Sequence, residues 1–381
     1  MSSHFSFKIY TKTSDFPSEW DTVASSNVFL SSNYLSVLEQ SAPINMKCFF
    51  IGIFENDELA GCAVAQFLDS ELLDSFGDRD KCLKTSIRNV AFKNFASNVL
   101  FLGNNMLSGQ NAFVFKKECN KELFLKALHS AVHEIKKILK KKGKRVHITT
   151  IKDFCSDELP PIETEFKSAY LFSTQPNMVF DINPNWHSET DYVDALNKKY
   201  RDQFKRARKK AAGITKRKMS LKEIIHFEDC IYNLYYHIAK NAPFNTFFLA
   251  KNHFRIFKEK LKDDFLFYGY FLDERLIGFN TLVKNGNVID TYFLGYDDKL
   301  QKETMLYLNM LYDMIAYSIK KQFQQIIFAR TALEIKSSVG AKPVTMYGLI
   351  SHKYKFIQYN MPKLFTYFEP KTDWIERNPF K

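Results

Sequence analysis

Two stretches of this chain repeat one plan, and a repeat that long limits the folds open to it. The first reads FIGIFENDELAGCAVAQFL (residues 50–68), then FLG (101–103), a helix-like run and the strand RVHITTI (145–151). The second reads FYGYFLDERLIGFNTLV (267–283), then FLG (293–295), a helix-like run and the strand QIIFART (325–331). Solenoid repeats are far shorter, so a unit of hairpin, strand, helix and strand predicts a duplicated α/β domain. A chain of 381 residues supplies two cores. The break is expected near residue 183, at Asn183-Pro184, giving domains 1–183 and 184–381.

Local signals fill in the plan. Turn-forming Glu55-Asn56-Asp57-Glu58 separates two apolar runs, the mark of a hairpin. Leu123, Ala127, Val132, Ile135 and Leu139 recur at helical spacing over 121–142, and Gly143 is a natural stop. In the second half, Asn285-Gly286 signals a two-residue hairpin loop. That loop would set Thr281 opposite Asp290, Asn280 opposite Thr291 and Phe279 opposite Tyr292. A single helix is expected over 300–320. Strands 288–295 and 325–331 flank it, so they should be parallel, with both C-terminal ends at one edge, where ligands of open α/β sheets gather.

Charge and composition narrow the partners. The chain carries a formal charge of +12, which favours an anionic membrane surface, nucleic acid or an acidic carrier protein. Its 37 Phe and 19 Tyr exclude a disordered chain. The cysteines are scattered singly, with neither a zinc pattern nor a disulfide framework, which points to a reducing cytoplasm. No apolar run approaches the roughly eighteen residues of a membrane span, and the N-terminus lacks a signal-like apolar core. The histidines form no H-E-x-x-H; they read as surface residues, and no metal is expected. Residues 198–218 hold eleven Lys/Arg against Asp202, with Tyr200, Phe204, Ala207 and Ala211 on one stripe. This predicts a basic amphipathic helix, used on a membrane, on RNA or a carrier, or merely solvated.

Two motifs flank the second repeat. Lys198-Lys199-Tyr200-Arg201 through Arg206-Ala207-Arg208-Lys209-Lys210 precedes it, and Ile335-Lys336-Ser337-Ser338-Val339-Gly340-Ala341 follows its last strand. Both, in this order, resemble segments of the FemAB-like branch of the GNAT acyltransferases, whose members carry tandem GNAT domains. The resemblance implies an α/β (α+β) chain of two GNAT-like domains, each a twisted mixed sheet flanked by helices. It also implies an acyltransferase with no tightly bound cofactor and an acyl thioester, acyl-ACP or acyl-CoA, as co-substrate. One departure stands out: the turn that would cradle a pyrophosphate reads Gly295-Tyr296-Asp297-Asp298-Lys299, whose carboxylates repel one. The turn of the first copy, residues 103–109, is neutral; it either offers N–H donors to an anion or is a plain surface loop.

Acyl transfer to an amine requires a neutral nucleophile beside the carbonyl and positive charge or donors for the oxyanion. The expected catalytic set is Lys336, Asp290, Tyr292, Arg330 and Glu334. Lys336 either stabilises the oxyanion, as the resemblance implies, or is an exposed lysine on a turn. Arg330 ends an apolar strand and needs a partner, either Glu334 or an anionic ligand. Asp290 is either a general base or one half of an Asp–Thr pair that fixes the sheet. Substrate or partner contacts are expected from Arg201, Lys205, Arg206, Arg208, Lys209, Lys210, Asn280 and Tyr296. The preferred activity is transfer to an amine-bearing lipid precursor of the sphingoid or amino-lipid kind, by a cytoplasmic enzyme peripheral to the inner face of the membrane. An aminoacyl-tRNA-dependent transferase acting on a cell-wall precursor is the alternative, and a non-catalytic membrane- or nucleic-acid-binding module the third.

Overall fold

The computed structural model describes residues 4–69, 97–242, 245–368 and 374–381; Cys82 lies outside them. The chain divides into two compact units. Unit 1 comprises Met1–Thr174, Thr246–Ala250 and Thr345–Lys371, and unit 2 comprises Gln175–Asn245, Lys251–Val344 and Thr372–Lys381. The change of unit after Thr174 precedes the expected boundary at 183, and residues 345–371 return to unit 1.

Unit 1 opens with β1 (Phe5–Tyr10), α1 (Ser32–Ser41) and the hairpin of β2 (Met46–Glu55) and β3 (Glu58–Asp69). Asn56 and Asp57 between them both have positive φ, as a type I′ turn demands. β4 (Asn98–Leu102) and β5 (Phe113–Phe115) pair with β3; α2 (Lys121–Lys141), capped by the Asn120 side chain, then leads to β6 (Ile148–Phe154). β4 and β6 are parallel, the other pairs antiparallel. Phe124, Leu128, Val132, Ile135 and Leu139 bury one face of α2 against the sheet.

Unit 2 repeats this order. From β7 (Tyr170–Asp181) the chain passes through α3 (Glu189–Ala195), α4 (Lys198–Lys210) and β8 (Ile214–Lys218). Then come α5 (Glu228–Asn241), α6 (His253–Leu261), and the strands β9 (Phe265–Leu272), β10 (Arg275–Asn285), β11 (Val288–Thr291) and β12 (Gly295–Tyr296). α7 (Asp298–Thr304), α8 (Leu306–Lys320), β13 (Gln325–Ala329) and α9 (Leu333–Ser337) follow. Strands β8, β9, β10 and β11 pair antiparallel in sequence, β11 pairs parallel with β13, and β13 pairs with the end of β7. The last strand, β14 (Lys342–His352), pairs through Tyr347–His352 with β6 in unit 1; α10 (Lys355–Tyr359) and α11 (Met361–Phe368) follow it. The duplication reaches irregular detail. The equivalent strands β6 and β13 each carry a register shift near the C-terminal end, beside the positive-φ residues Asp153 and Ala329.

Three expectations are corrected. The basic segment is helical only to Lys210; after Ala211-Ala212-Gly213 it turns into edge strand β8, because Ile214 and Thr215 suit a strand and β9 offers a free edge. The helix expected over 300–320 is broken at Met305, which is left-handed; Asn309 Nδ2 picks up the carbonyls of Thr304 and Met305, at 3.2 and 3.1 Å. The β10–β11 loop is Gly286-Asn287 rather than Asn285-Gly286, with Asn285 opposite Val288 and Val283 opposite Asp290. Gly286 has a φ of +59° and stands first in the loop, the glycine position of a type II′ turn.

Candidate functional site

β11 and β13 pair only as far as Asp290 and Ile327; beyond that point Gly295–Tyr296 turns away to β10 and the two strands part. The opening lies at their C-terminal ends, as the crossover predicts. Asp290 sits on one lip, buried. Its carboxylate accepts a 3.3 Å hydrogen bond from Asn285 Nδ2, not from Thr281, whose hydroxyl donates instead to the Phe293 carbonyl at 2.6 Å. Burial pushes the Asp290 pKa up to about 7. A carboxyl that exchanges its proton near neutrality, beside a strand opening, has the acid–base property that general-base chemistry needs. Tyr292 follows it, its hydroxyl 3.0 Å from Nε2 of His253.

The other lip is held by Lys336, and the exposed-lysine reading is wrong: the side chain is only 4 % exposed. Its Nζ donates to the carbonyls of Phe328, Ala329 and Arg330 at 2.6, 3.2 and 2.7 Å. These carbonyls adjoin a contorted run in which Ala329, Thr331 and Ala332 all have positive φ. Such backbone costs about 1–3 kcal/mol per residue and persists only where the surroundings over-determine it. Burial pulls the Lys336 pKa down to about 7, while three facing carbonyls favour the ammonium, which has one more N–H than the neutral amine. Lys336 therefore shapes the lip through the backbone. Arg330, half-buried, has its pKa lowered to about 10 by desolvation. The expected Arg330–Glu334 pair does not form: Glu334 accepts from Arg377, whose Nε lies 3.0 Å away.

The two sequence motifs meet on α4 and α9, which line a groove of about 430 Å³ with Tyr200, Gln203, Glu334, Ile335, Ser338 and Arg377. Gln203 Nε2 lies 3.3 Å from the Tyr312 hydroxyl and 3.4 Å from Ser338 Oγ. Gly340, at the end of the second motif, has a φ of +108°, and a Cβ there would stand 2.5 Å from the Phe380 ring. The glycine of that motif thus has a packing reason.

α4 divides its charge between two faces. Lys205, Arg206, Lys209 and Lys210 are exposed, while Tyr200 and Ala207 are buried. Arg201 Nη1 donates to the Leu196 carbonyl at 2.7 Å. Arg208 turns inward to Glu189 and to Asp313, the latter at 2.7 Å, and lies 5.1 Å from the Phe204 ring centre. Asp313 also accepts from the Tyr270 hydroxyl at 2.9 Å, and that oxygen accepts from Asn280 Nδ2 at 3.0 Å. Asn280 is thus an interior residue, and its buried Oδ1 has no hydrogen-bond partner among the described residues. Tyr296 packs at a tilt near Tyr307, with ring centres 6.1 Å apart. Sequence reasoning missed this Asn280–Tyr270–Asp313–Arg208 chain. The available signal was Asn309 and Asp313, polar residues one turn apart on an otherwise apolar helix.

In both turns, side chains occupy backbone amides that a phosphate cradle would use. Asp297 caps α7 by accepting from the Lys299 amide at 3.0 Å and binds Arg275 at 2.9 Å, and Asp298 pairs with His237. In unit 1 the amides of Asn105 and Met106 are already taken by Gln66 Oε1 and Asn104 Oδ1, at 2.7 and 2.9 Å. The surface reading of the histidines fails for His147, His253 and His352, which are buried. Among the described residues no three His, Cys, Asp or Glu side chains cluster as metal ligands would, and no helix is long and apolar enough to cross a membrane.

No protein-family model matches the sequence, and no curated protein matches it. Solved structures do. FemX aligns over 92 % of this chain and 98 % of its own, at 11 % identity and a TM-score of 0.51. A tandem GNAT protein from the clavulanic acid biosynthesis pathway aligns over the same shares, at 10 % identity and a TM-score of 0.51. A conserved protein of unknown function from Bacteroides thetaiotaomicron aligns over 90 % of this chain and 98 % of its own, at 11 % identity and a TM-score of 0.50. The repeated strand order and these alignments together assign the chain the FemAB-like, tandem GNAT fold.

Proposed function

We propose that the chain is an N-acyltransferase that moves an acyl group from a thioester carrier, acyl-ACP or acyl-CoA, to the amine of a lipid precursor. The observation that carries this reading is the parted β11–β13 edge: Asp290, with a pKa raised to about 7, stands at the last pair of β11, and buried Lys336 braces the carbonyls at the end of β13. In this scheme Asp290 takes the proton of the attacking ammonium, and Tyr292, bonded to His253, orients the acceptor. Lys336 and Arg330 hold positive potential at the lip, where the oxyanion would develop. Asp297 closes α7 to a pyrophosphate, which favours a carrier-borne thioester over coenzyme A held in the usual pose. Exposed Lys205, Arg206, Lys209 and Lys210 suit an acidic carrier or the anionic inner face of a membrane.

The FemAB-like fold also favours a second reading, aminoacyl-tRNA-dependent transfer to a cell-wall precursor. Single-turnover assays separate the two. Labelled acyl-ACP, acyl-CoA and aminoacyl-tRNA are each offered with a sphingoid amine or a cell-wall precursor, and products are read by mass spectrometry. Label on the lipid amine supports the first reading; transfer from tRNA alone replaces it with the second.

A further inference from the structure

We propose that α10 and the start of α11 in unit 1 form an interfacial element that seats this protein on an anionic lipid surface. Phe356 and Tyr359, one turn apart, are 81 and 86 % exposed, while most other large apolar side chains of the described residues are buried. Lys363, on the first turn of α11, and Lys353 and Lys355, flanking the start of α10, are exposed as well. Between Lys342 and Phe368 the sequence has four lysines and no Asp or Glu. The opposite face is rooted in the unit. Gln358 accepts from the His352 amide at 2.6 Å and donates to the Ser168 carbonyl at 2.8 Å, and Met361 is buried. The outward aromatics are therefore held in place.

Exposed aromatics ringed by lysines are what a bilayer interface binds: rings enter the headgroup boundary and ammonium groups meet lipid phosphates. An acidic protein partner would satisfy the lysines but would not need two projecting rings. The inference rests on the lipid-surface part of the proposed function, and it assigns that contact to unit 1 rather than to α4.

The test uses the full chain and vesicles of phosphatidylcholine with and without phosphatidylglycerol. Wild type should sediment with the anionic vesicles only. The double variant Phe356→Ala/Tyr359→Ala should bind roughly a hundredfold more weakly, with an unchanged melting temperature. Lys355→Glu and Lys363→Glu should each cost about fivefold or more. Phe356→Trp should keep binding, and the fluorescence it adds to that of wild type should shift to the blue on vesicle addition. Undiminished binding by the aromatic double variant, or added fluorescence in Phe356→Trp that is indifferent to vesicles, overturns this inference alone if wild type still binds. Failure of wild type to bind anionic vesicles overturns both this inference and the lipid-surface reading.

Discussion

Replacing Lys336 with Met keeps the length of the side chain and removes the ammonium that faces the Phe328, Ala329 and Arg330 carbonyls. Two opposing terms follow. Leaving three buried carbonyls without a donor costs about 1–3 kcal/mol each. Against this, lowering the Lys336 pKa from 10.5 to about 7 means that burying its charge costs roughly 5 kcal/mol, which Met avoids. Near neutral pH the net change is therefore small, between about 2 kcal/mol of stabilisation and about 4 kcal/mol of destabilisation. The sign of the pH dependence is more telling. Because the folded pKa lies below the unfolded one, the unfolded chain binds more protons in between. Wild type should then gain stability as pH rises from about 7 to 10, at up to ~1.4 kcal/mol per pH unit. Lys336→Met lacks this gain, so its deficit should widen by roughly 2–3 kcal/mol between about pH 7.5 and 9.5. The assay is urea unfolding of both proteins at three pH values; taking the difference cancels the cysteines and tyrosines that titrate in both. Parallel curves would refute the reasoning and show an ammonium that stays charged throughout. Acyl transfer assayed alongside should fall in the variant because the lip is misshapen.

Asp290→Asn tests the other lip. The folded pKa of about 7 exceeds the unfolded value, so the proton it retains favours the folded state at low pH and that contribution is lost as pH rises through 7. The variant should be more stable than wild type at pH 8, by up to about 4 kcal/mol in urea melts, and should lose acyl transfer if Asp290 is the base. Gly340→Ala should cost about 2–5 kcal/mol in the same melts, from the strained φ of +108° and the clash with Phe380. Arg208→Met should destabilise by about 1–3 kcal/mol, because Glu189 loses its partner while Asp313 keeps the Tyr270 hydroxyl and Lys216, whereas reversal of Lys205, Arg206, Lys209 and Lys210 to Glu should leave the melt unchanged and abolish salt-sensitive binding to acyl-carrier protein.

The sequence by itself determined the duplication, the parallel β11–β13 pair and the helix over 121–141, because each rests on local periodicity and on the handedness of a crossover. It also placed Asp290, and the segment that leads to Lys336, at the ends of strands that a crossover brings to one edge. Only the tertiary structure decided what these residues touch. One loop residue separates an Asn285-Gly286 turn from the observed Gly286-Asn287 turn, and that slip replaces Thr281 by Val283 opposite Asp290. Glu334 could be matched to Arg330 by spacing alone, but Arg377, forty-three residues later in sequence, is the group that folds back onto it. Whether Lys336 was exposed on a turn or turned toward the site could not be read from the sequence, because a lone lysine carries no record of burial; the contorted Ala329–Ala332 backbone turns its carbonyls inward and draws the ammonium with them. Pairings and burial of this kind depend on residues distant in sequence, and no local pattern encodes them.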